Sequence, residues 1–235
     1  MCDTCGCSEP AGHHNDHDHG HSNTVAIQAS VMQRNDLFAE ENRTFFQKNG
    51  LFAVNIISSP GSGKTTLVEA MAKTFGDMMA VIVGDLQTRR DAERIIRAGC
   101  RAFQIETGGA CHLDAHSVAH ALHHLDLAGV RLLVIENVGN LVCPAAYDLG
   151  EHLKIALLST PEGDDKVLKY PSLFTRISAL LITKSDLLQY LSFDPQKAIH
   201  ECKSLNRHVD SFIVSAATGD GMGGFYEYLR RKMGI

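Results

Sequence analysis

The stretch Ala53-Val54-Asn55-Ile56-Ile57-Ser58-Ser59-Pro60-Gly61-Ser62-Gly63-Lys64-Thr65-Thr66-Leu67-Val68-Glu69-Ala70 decides the fold. It runs from an apolar segment through a glycine-rich turn into a helical pattern, the order a phosphate-binding loop requires. Glycines let the backbone curl so that successive N–H groups and the positive helix end face an anion, whose desolvation would otherwise be costly. Lys64 adds a mobile positive charge, and the Thr65 hydroxyl suits a Mg²⁺ that bridges terminal phosphates. The strict pattern G-x-x-x-x-G-K-[ST] fails at its first position, where Ser58 stands. The residues that touch phosphate, Gly61, Ser62, Gly63, Lys64, Thr65 and Thr66, are all present. A glycine-rich turn capping an ordinary helix is the plainer possibility, and the apolar strand directly before the loop argues against it.

Working outward, short apolar runs at 52–57, 79–83, 102–105, 132–135, 155–158, 179–183 and 212–214 alternate with amphipathic stretches. Helices are expected at 24–47, 64–75, 90–98, 114–125, 195–205 and 222–232. Strands alternating with helices predict an α/β chain of the P-loop NTPase fold, a mainly parallel sheet with helices on both faces. Residues 1–23 are polar and hold five histidines, His13, His14, His17, His19 and His21, so they are expected to form a flexible metal-binding segment ahead of one domain, 24–235.

Composition narrows the function. The chain has 235 residues, 44% hydrophobic and 21% charged, and no apolar run approaches the roughly 20 residues of a membrane helix. A net charge of −5 supplies no cationic field for a phosphate backbone, which argues against nucleic acid as partner. The opening Met1-Cys2-Asp3-Thr4-Cys5-Gly6-Cys7 is unlike a secretory signal, so a cytoplasmic location is expected. In that reducing setting the clustered members of seven cysteines are better explained by metal than by disulfides, while Cys100 and Cys202 read as small core residues.

The run Leu180-Leu181-Ile182-Thr183-Lys184-Ser185-Asp186 resembles the guanine-reading Asn-Lys-x-Asp element, with Thr183 in place of Asn. Guanine presents two adjacent donors that one carboxylate can accept together, whereas adenine shows an acceptor at that edge, so Asp186 favours GTP. Lys184 is expected along the base face. Val214-Ser215-Ala216-Ala217 resembles the loop whose backbone N–H meets guanine O6. Lys-x-Asp alone is common on solvated surfaces, and its position after a phosphate loop and a buried strand is what favours the site.

Two carboxylates close strands, Asp85 and Glu136, each equally readable as a loop or cap residue. Their shared strand-end position places them, with Lys64, among the candidate catalytic groups. Asp85 fits a Mg²⁺-bound water or an attacking one. Gly139, three residues after Glu136, is expected to offer its N–H to a γ-phosphate.

Cys2, Cys5 and Cys7 can close around one ion, with Zn²⁺ or Ni²⁺ depending on geometry. Cys111, His112 and Cys143 are a candidate second site, although adjacent residues on a regular helix diverge, so joint ligation by Cys111 and His112 needs a loop or helix end. Cys143 follows Gly139 by four residues, at most ~14 Å of chain, so phosphate-dependent movement of Gly139 should reach that thiolate.

The motifs Cys-x-x-Cys-Gly-Cys, Ser-Pro-Gly-Ser-Gly-Lys-Thr-Thr, Gly-Asp-Leu-Gln-Thr and Glu-Asn-Val-Gly-Asn-Leu-Val-Cys-Pro make the chain similar to the hydrogenase nickel-incorporation GTPases, the HypB family of the SIMIBI class. The resemblance implies a GTPase that loads nickel into the large-subunit precursor of nickel-iron hydrogenase, dimerises with GTP bound, and works with a small nickel- and zinc-binding partner chaperone. It implies tight Ni²⁺ at Cys2, Cys5 and Cys7, and weaker, nucleotide-responsive Ni²⁺ or Zn²⁺ at Cys111, His112 and Cys143. Thr183 and the Arg89-Arg90 pair depart from the family pattern. A urease accessory GTPase would carry Cys-Pro-His where this chain has Cys143-Pro144-Ala145. A nickel storage or buffering protein with regulatory GTP binding would also account for the cysteine- and histidine-rich tail. An ATP-dependent kinase or ligase on the same fold would instead prefer ATP and act on a small-molecule acceptor.

Overall fold

The computed structural model describes residues 19–85 and 90–235. Strand β1 (Phe52–Ser58) is buried almost throughout, and β4 (Leu132–Glu136) is buried at every position. Such strands need cover on both faces, which a parallel sheet with crossover helices provides. Five further strands complete the sheet: β2 (Met79–Asp85), β3 (Arg101–Glu106), β5 (Leu153–Ser159), β6 (Ala179–Thr183) and β7 (Asp210–Ile213). The order is β3-β2-β4-β1-β5-β6-β7. Every pairing is parallel.

Side-chain alternation along each strand assigns the helices to faces. Val54 and Ile56 join Val81, Val134 and Ile155 beneath α2 (Lys64–Phe75), α3 (Arg90–Arg97) and α9 (Met222–Met233). On the other face, Ala53, Ile82 and Leu133 pack under α1 (His19–Asn49) and α4 (Ala115–Leu122). Farther along that face, Ile57, Leu158 and Ile182 meet the short helices α5 (Cys143–Ala146), α6 (Lys166–Lys169) and α7 (Pro171–Phe174), together with α8 (Pro195–Leu205). All seven strands expected from the sequence are present, within a few residues. The first helix begins at His19 rather than at 24, so part of the expected tail is helical. Helix α4 stops at Leu122 rather than running to 125, because the chain tightens there into three-residue hydrogen bonds from His123 to His120 and from His124 to Ala121. The 143–174 region also contains short helices that its sequence pattern did not signal.

Two buried asparagines fasten α1 to the start of α4 and to the loop before β5. Asn42 Nδ2 donates to the carbonyls of Ala115 (2.9 Å) and Leu149 (3.0 Å). Asn35 donates to the Asp148 carbonyl at 2.8 Å and accepts from the Ala115 N–H at 2.9 Å. The carboxyl ends of β1, β2, β4 and β6 all lie at one edge, and β1 sits where the chain turns from the β4 side to the β5 side, the position at which open α/β sheets hold ligands. Among the described residues no helix is long and apolar enough to cross a membrane.

Candidate functional site

The loop after β1 curls through Gly61 and Gly63, at φ 74° and 95°, into α2. Those left-handed turns are open to glycine, and the loop they shape borders one cavity of about 500 Å³. Pro60, Gly61, Gly63, Lys64, Thr65 and Thr66 line one side, and Gly84, Asp85, Asp91, Arg94, Glu136, Asn137, Val138, Gly139 and Lys184 line the rest. Gly139 lies so close to the loop that a Cβ there would stand 3.1 Å from Pro60. The structure thus brings Gly139 and the phosphate loop together.

Lys64 Nζ donates to Ser58 Oγ at 2.8 Å and to the Ser59 carbonyl at 3.3 Å. Ser58, which breaks the strict motif, therefore holds the loop's ammonium, and its hydroxyl also meets that of Ser62. Burial lowers the Lys64 pKa, while Glu136 and Asp91 oppose that shift. The Thr65 hydroxyl donates to Glu136 Oε1 at 2.7 Å. Glu136 is 3% exposed and its Oε2 has no protein partner. Burial pushes its carboxyl up to about 7, against the pull of the Thr65 hydrogen bond and Lys64. A hydroxyl beside a buried carboxylate oxygen with unused acceptor capacity is a donor set suited to a hard divalent cation.

On the base side, Thr183 Oγ1 donates to the Ser62 carbonyl at 2.8 Å, and Lys184 Nζ donates to the Gly61 carbonyl at 2.8 Å. Thr183, the departure from Asn, thus ties this element to the phosphate loop. Lys184 is the one non-glycine at positive φ among the described residues, at 59°, a conformation that costs about 1 kcal/mol. Asp186 and Ser215 do not line the phosphate cavity, but they meet each other: Ser215 Oγ donates to Asp186 Oδ1 at 2.6 Å. Ala216 follows on the same loop. The Ser185 N–H reaches the Val214 carbonyl at 3.1 Å, so the two expected base-reading segments are adjacent.

Cys111, His112 and Cys143 place their donor atoms within 4.8 Å of one another, the one such Cys, His or carboxylate group of three among the described residues. Cys111 and His112 sit on the loop ahead of α4, whose cap is Asp114, with the Ser117 N–H 2.7 Å from its carboxylate. The loop removes the helical divergence that would have separated them. Cys143 opens α5, and Tyr147 covers the His112 ring at 3.8 Å. Burial lowers the His112 pKa, favouring neutral imidazole. The Cys143 thiol is pushed up, first by its hydrogen bond with Cys111. Cys100 and Cys202 are buried core residues, with thiols pushed up to about 11 and about 12. Cys2, Cys5 and Cys7 lie outside the described residues, as do Gln87, Thr88 and Arg89.

Sequence reasoning missed Arg94 and Asn137. Arg94 lines the cavity from α3, bonded to Glu69 at 2.7 and 3.1 Å and lying 3.5 Å from Asp91. No motif marks it, and only its i, i+3 spacing from Asp91 hints at a shared face. Asn137 sits inside a quoted motif, but its role depends on contacts the motif does not show.

The family model described as CobW/HypB/UreG, nucleotide-binding domain, matches residues 52–212. The hydrogenase maturation factor HypB of Azotobacter vinelandii is 47% identical over 215 residues, 91% of this chain and 71% of that protein. The crystal structure of HypB from Helicobacter pylori in complex with nickel superposes with a TM-score of 0.82 at 41% identity, covering 85% of this chain and 95% of that one. The hydrogenase maturation factor HypB of Archaeoglobus fulgidus gives a TM-score of 0.80 at 36% identity, with 86% and 100% covered.

Proposed function

This chain belongs to the CobW/HypB/UreG nucleotide-binding family, in its HypB branch, and from that premise we propose that it is a GTP-hydrolysing nickel chaperone of hydrogenase maturation. The observation that carries this reading is the meeting of two sites on one short loop. Gly139 lies against the phosphate loop, and Cys143, four residues on, lies with Cys111 and His112.

In this reading Gly61 to Thr66 cradle the phosphates through backbone N–H groups, and Lys64 leaves Ser58 for the β- and γ-phosphates. Thr65 and Glu136 would hold Mg²⁺, which when bound offsets phosphate charge as the γ-phosphoryl group is transferred. Asp85, which lines the cavity, orients the water that attacks the γ-phosphorus as the bond to the β-phosphate oxygen breaks, leaving GDP and phosphate. Asp186 accepts the two guanine donors, Ser215 fixes its carboxylate, and the Ala216 N–H faces guanine O6.

Nickel is the cargo. Cys2, Cys5 and Cys7 take it with high affinity, and Cys111, His112 and Cys143 hold Ni²⁺ or Zn²⁺ according to nucleotide state. The partners are a small nickel- and zinc-binding chaperone, the hydrogenase large-subunit precursor and a second copy of this chain when GTP is bound, all in the cytoplasm. The test is competition and turnover with GTP and ATP at matched Mg²⁺, followed by Ni²⁺ titration with GDP and with a nonhydrolysable GTP analogue. Preference for GTP, with a metal affinity that depends on the nucleotide, is the expected result. ATP preference would overturn the assignment.

A further inference from the structure

Asn137 follows Glu136 at the mouth of β4, and it is 1% exposed although it carries a carboxamide. Burying such a group is unfavourable unless its donors and acceptor are matched. Its oxygen and its nitrogen both have partners, and these come from different parts of the site. Oδ1 accepts the N–H of Val138 at 2.9 Å, within the loop that leads to Gly139, and the N–H of Leu113 at 3.2 Å, the residue after His112. Nδ2 donates to Asn55 Oδ1 at 3.2 Å in the central strand, and Asn55 in turn donates to Glu151 Oε1 at 3.1 Å. The backbone N–H of Asn137 is fixed to the Ile56 carbonyl at 3.0 Å.

Leu113 is held from a second direction. Its side chain packs against Gly84, where a Cβ would come within 2.7 Å of Leu113 Cγ. Gly84 and Asn137 both line the nucleotide cavity. The loop bearing Cys111 and His112 therefore rests on the cavity wall at two points: at Leu113, by a buried hydrogen bond and an interlocked side chain, and at Thr107, whose N–H and hydroxyl donate to the Asp85 carbonyl at 3.2 and 3.4 Å. The third ligand, the sulfur of Cys143, hangs from the other end of the loop that Asn137 begins. One carboxamide thus joins both halves of the Cys111, His112 and Cys143 group to the segment expected to answer a γ-phosphate.

We propose that Asn137 is the positioning residue that couples nucleotide occupancy to metal affinity, through its shared oxygen on Val138 and Leu113. The inference rests on the proposed GTP and metal sites and adds the route between them. When Val138 and Gly139 shift toward a γ-phosphate, the oxygen that serves Val138 shifts as well, and Leu113 follows or loses its acceptor. Either way Cys111 and His112 move relative to Cys143, and a four-coordinate site is sensitive to such displacements. The Asn137 carboxamide is bonded to Val138, Leu113 and Asn55 and is not one of the Cys111, His112 and Cys143 donors, so its removal should change the dependence of one site on the other more than either site alone.

The experiment uses the full chain with Cys2, Cys5 and Cys7 replaced by Ala, so that nickel–thiolate absorption reports on Cys111 and Cys143. Ni²⁺ affinity is measured with GDP and with a nonhydrolysable GTP analogue, with and without Asn137→Ala. In the Asn137 protein the two affinities should differ roughly 5- to 150-fold, the usual range of coupling between sites. In Asn137→Ala the ratio should fall to within about twofold while nucleotide still binds. A folded, nucleotide-binding Asn137→Ala protein that keeps the full ratio overturns the proposal. Equal affinities in the Asn137 protein would sink both this inference and the gated-metal part of the proposed function. Should Asn137→Ala fail to fold, Asn137→Ser carries the same expectation, since its hydroxyl serves the adjacent Val138 N–H but falls short of Leu113.

Discussion

Thr65 and Glu136 lie 71 residues apart in sequence and meet hydroxyl to carboxylate at 2.7 Å, joining the phosphate loop to the end of β4. That contact leaves one Glu136 oxygen buried without a protein partner, and the carboxyl is held up to about 7 from an ordinary value of 4.5. A raised carboxyl stabilises the fold fully below its unfolded value, and that contribution is lost as pH rises through the folded one. In the nucleotide-free protein, Glu136→Gln should therefore unfold at a free energy that gains on the parent between pH 4.5 and about 8, by roughly 3 kcal/mol at most. Urea denaturation at both ends of that range measures it. A pH-independent difference between the two proteins would show that Glu136 titrates alike in the folded and unfolded chain.

Lys64→Ala removes the ammonium now resting on Ser58. Hydrolysis of GTP should fall by about 10²–10³-fold, since a preorganised charge on the transferring phosphate is lost. Nickel binding by Cys2, Cys5 and Cys7 should be unaffected, because those residues are remote in sequence from the loop. Steady-state phosphate release and equilibrium dialysis of Ni²⁺ on the same preparation check both. Loss of metal together with turnover would count against separable modules.

The parallel sheet was legible because strands buried on both faces read as near-continuous apolar runs, as Val54 to Ile57 and Leu132 to Ile135 do. The phosphate loop was legible because its residue types are set by backbone curvature. The helices between residues 143 and 174 were not, since segments of four residues carry no amphipathic period to detect. Asn137 and Arg94 were hidden for another reason. An asparagine whose oxygen bonds Leu113 and an arginine that bonds Glu69 have partners that only the folded chain brings near. The cluster of Cys111, His112 and Cys143 lay between these cases: the residue types were visible, but the loop that lets neighbours converge was not.

Asp186→Asn tests the base assignment. The carboxylate, oriented by Ser215 at 2.6 Å, suits two adjacent donors on guanine. A carboxamide offers one acceptor and one donor, which matches xanthine, where a carbonyl replaces the exocyclic amine. GTP affinity should fall about 10- to 100-fold and xanthosine triphosphate should bind better than it does to the parent, consistent with the cost of an unpaired buried polar group. Titration with fluorescent analogues of both nucleotides decides it. An equal loss for both bases would place Asp186 in a structural role.

The group of Cys111, His112 and Cys143 should behave as one site, because its donor atoms already lie within 4.8 Å and Tyr147 holds the His112 ring from one side. Replacing any one of them, as in Cys111→Ser, His112→Ala or Cys143→Ser, should weaken Zn²⁺ binding at this site by more than about tenfold, and the double replacements should cost little beyond the first. Tyr147→Ala should cost less than His112→Ala, since it frees the ring without removing a ligand. Competition with a chromophoric chelator, in protein already carrying Ala at positions 2, 5 and 7, measures each affinity. A replacement that leaves the affinity for the ion held by the other two residues unchanged would mean that they bind separately. In that case the loop from Gly139 to Cys143 would have no shared site to act upon, and the structural link between nucleotide and metal would end at Asn137.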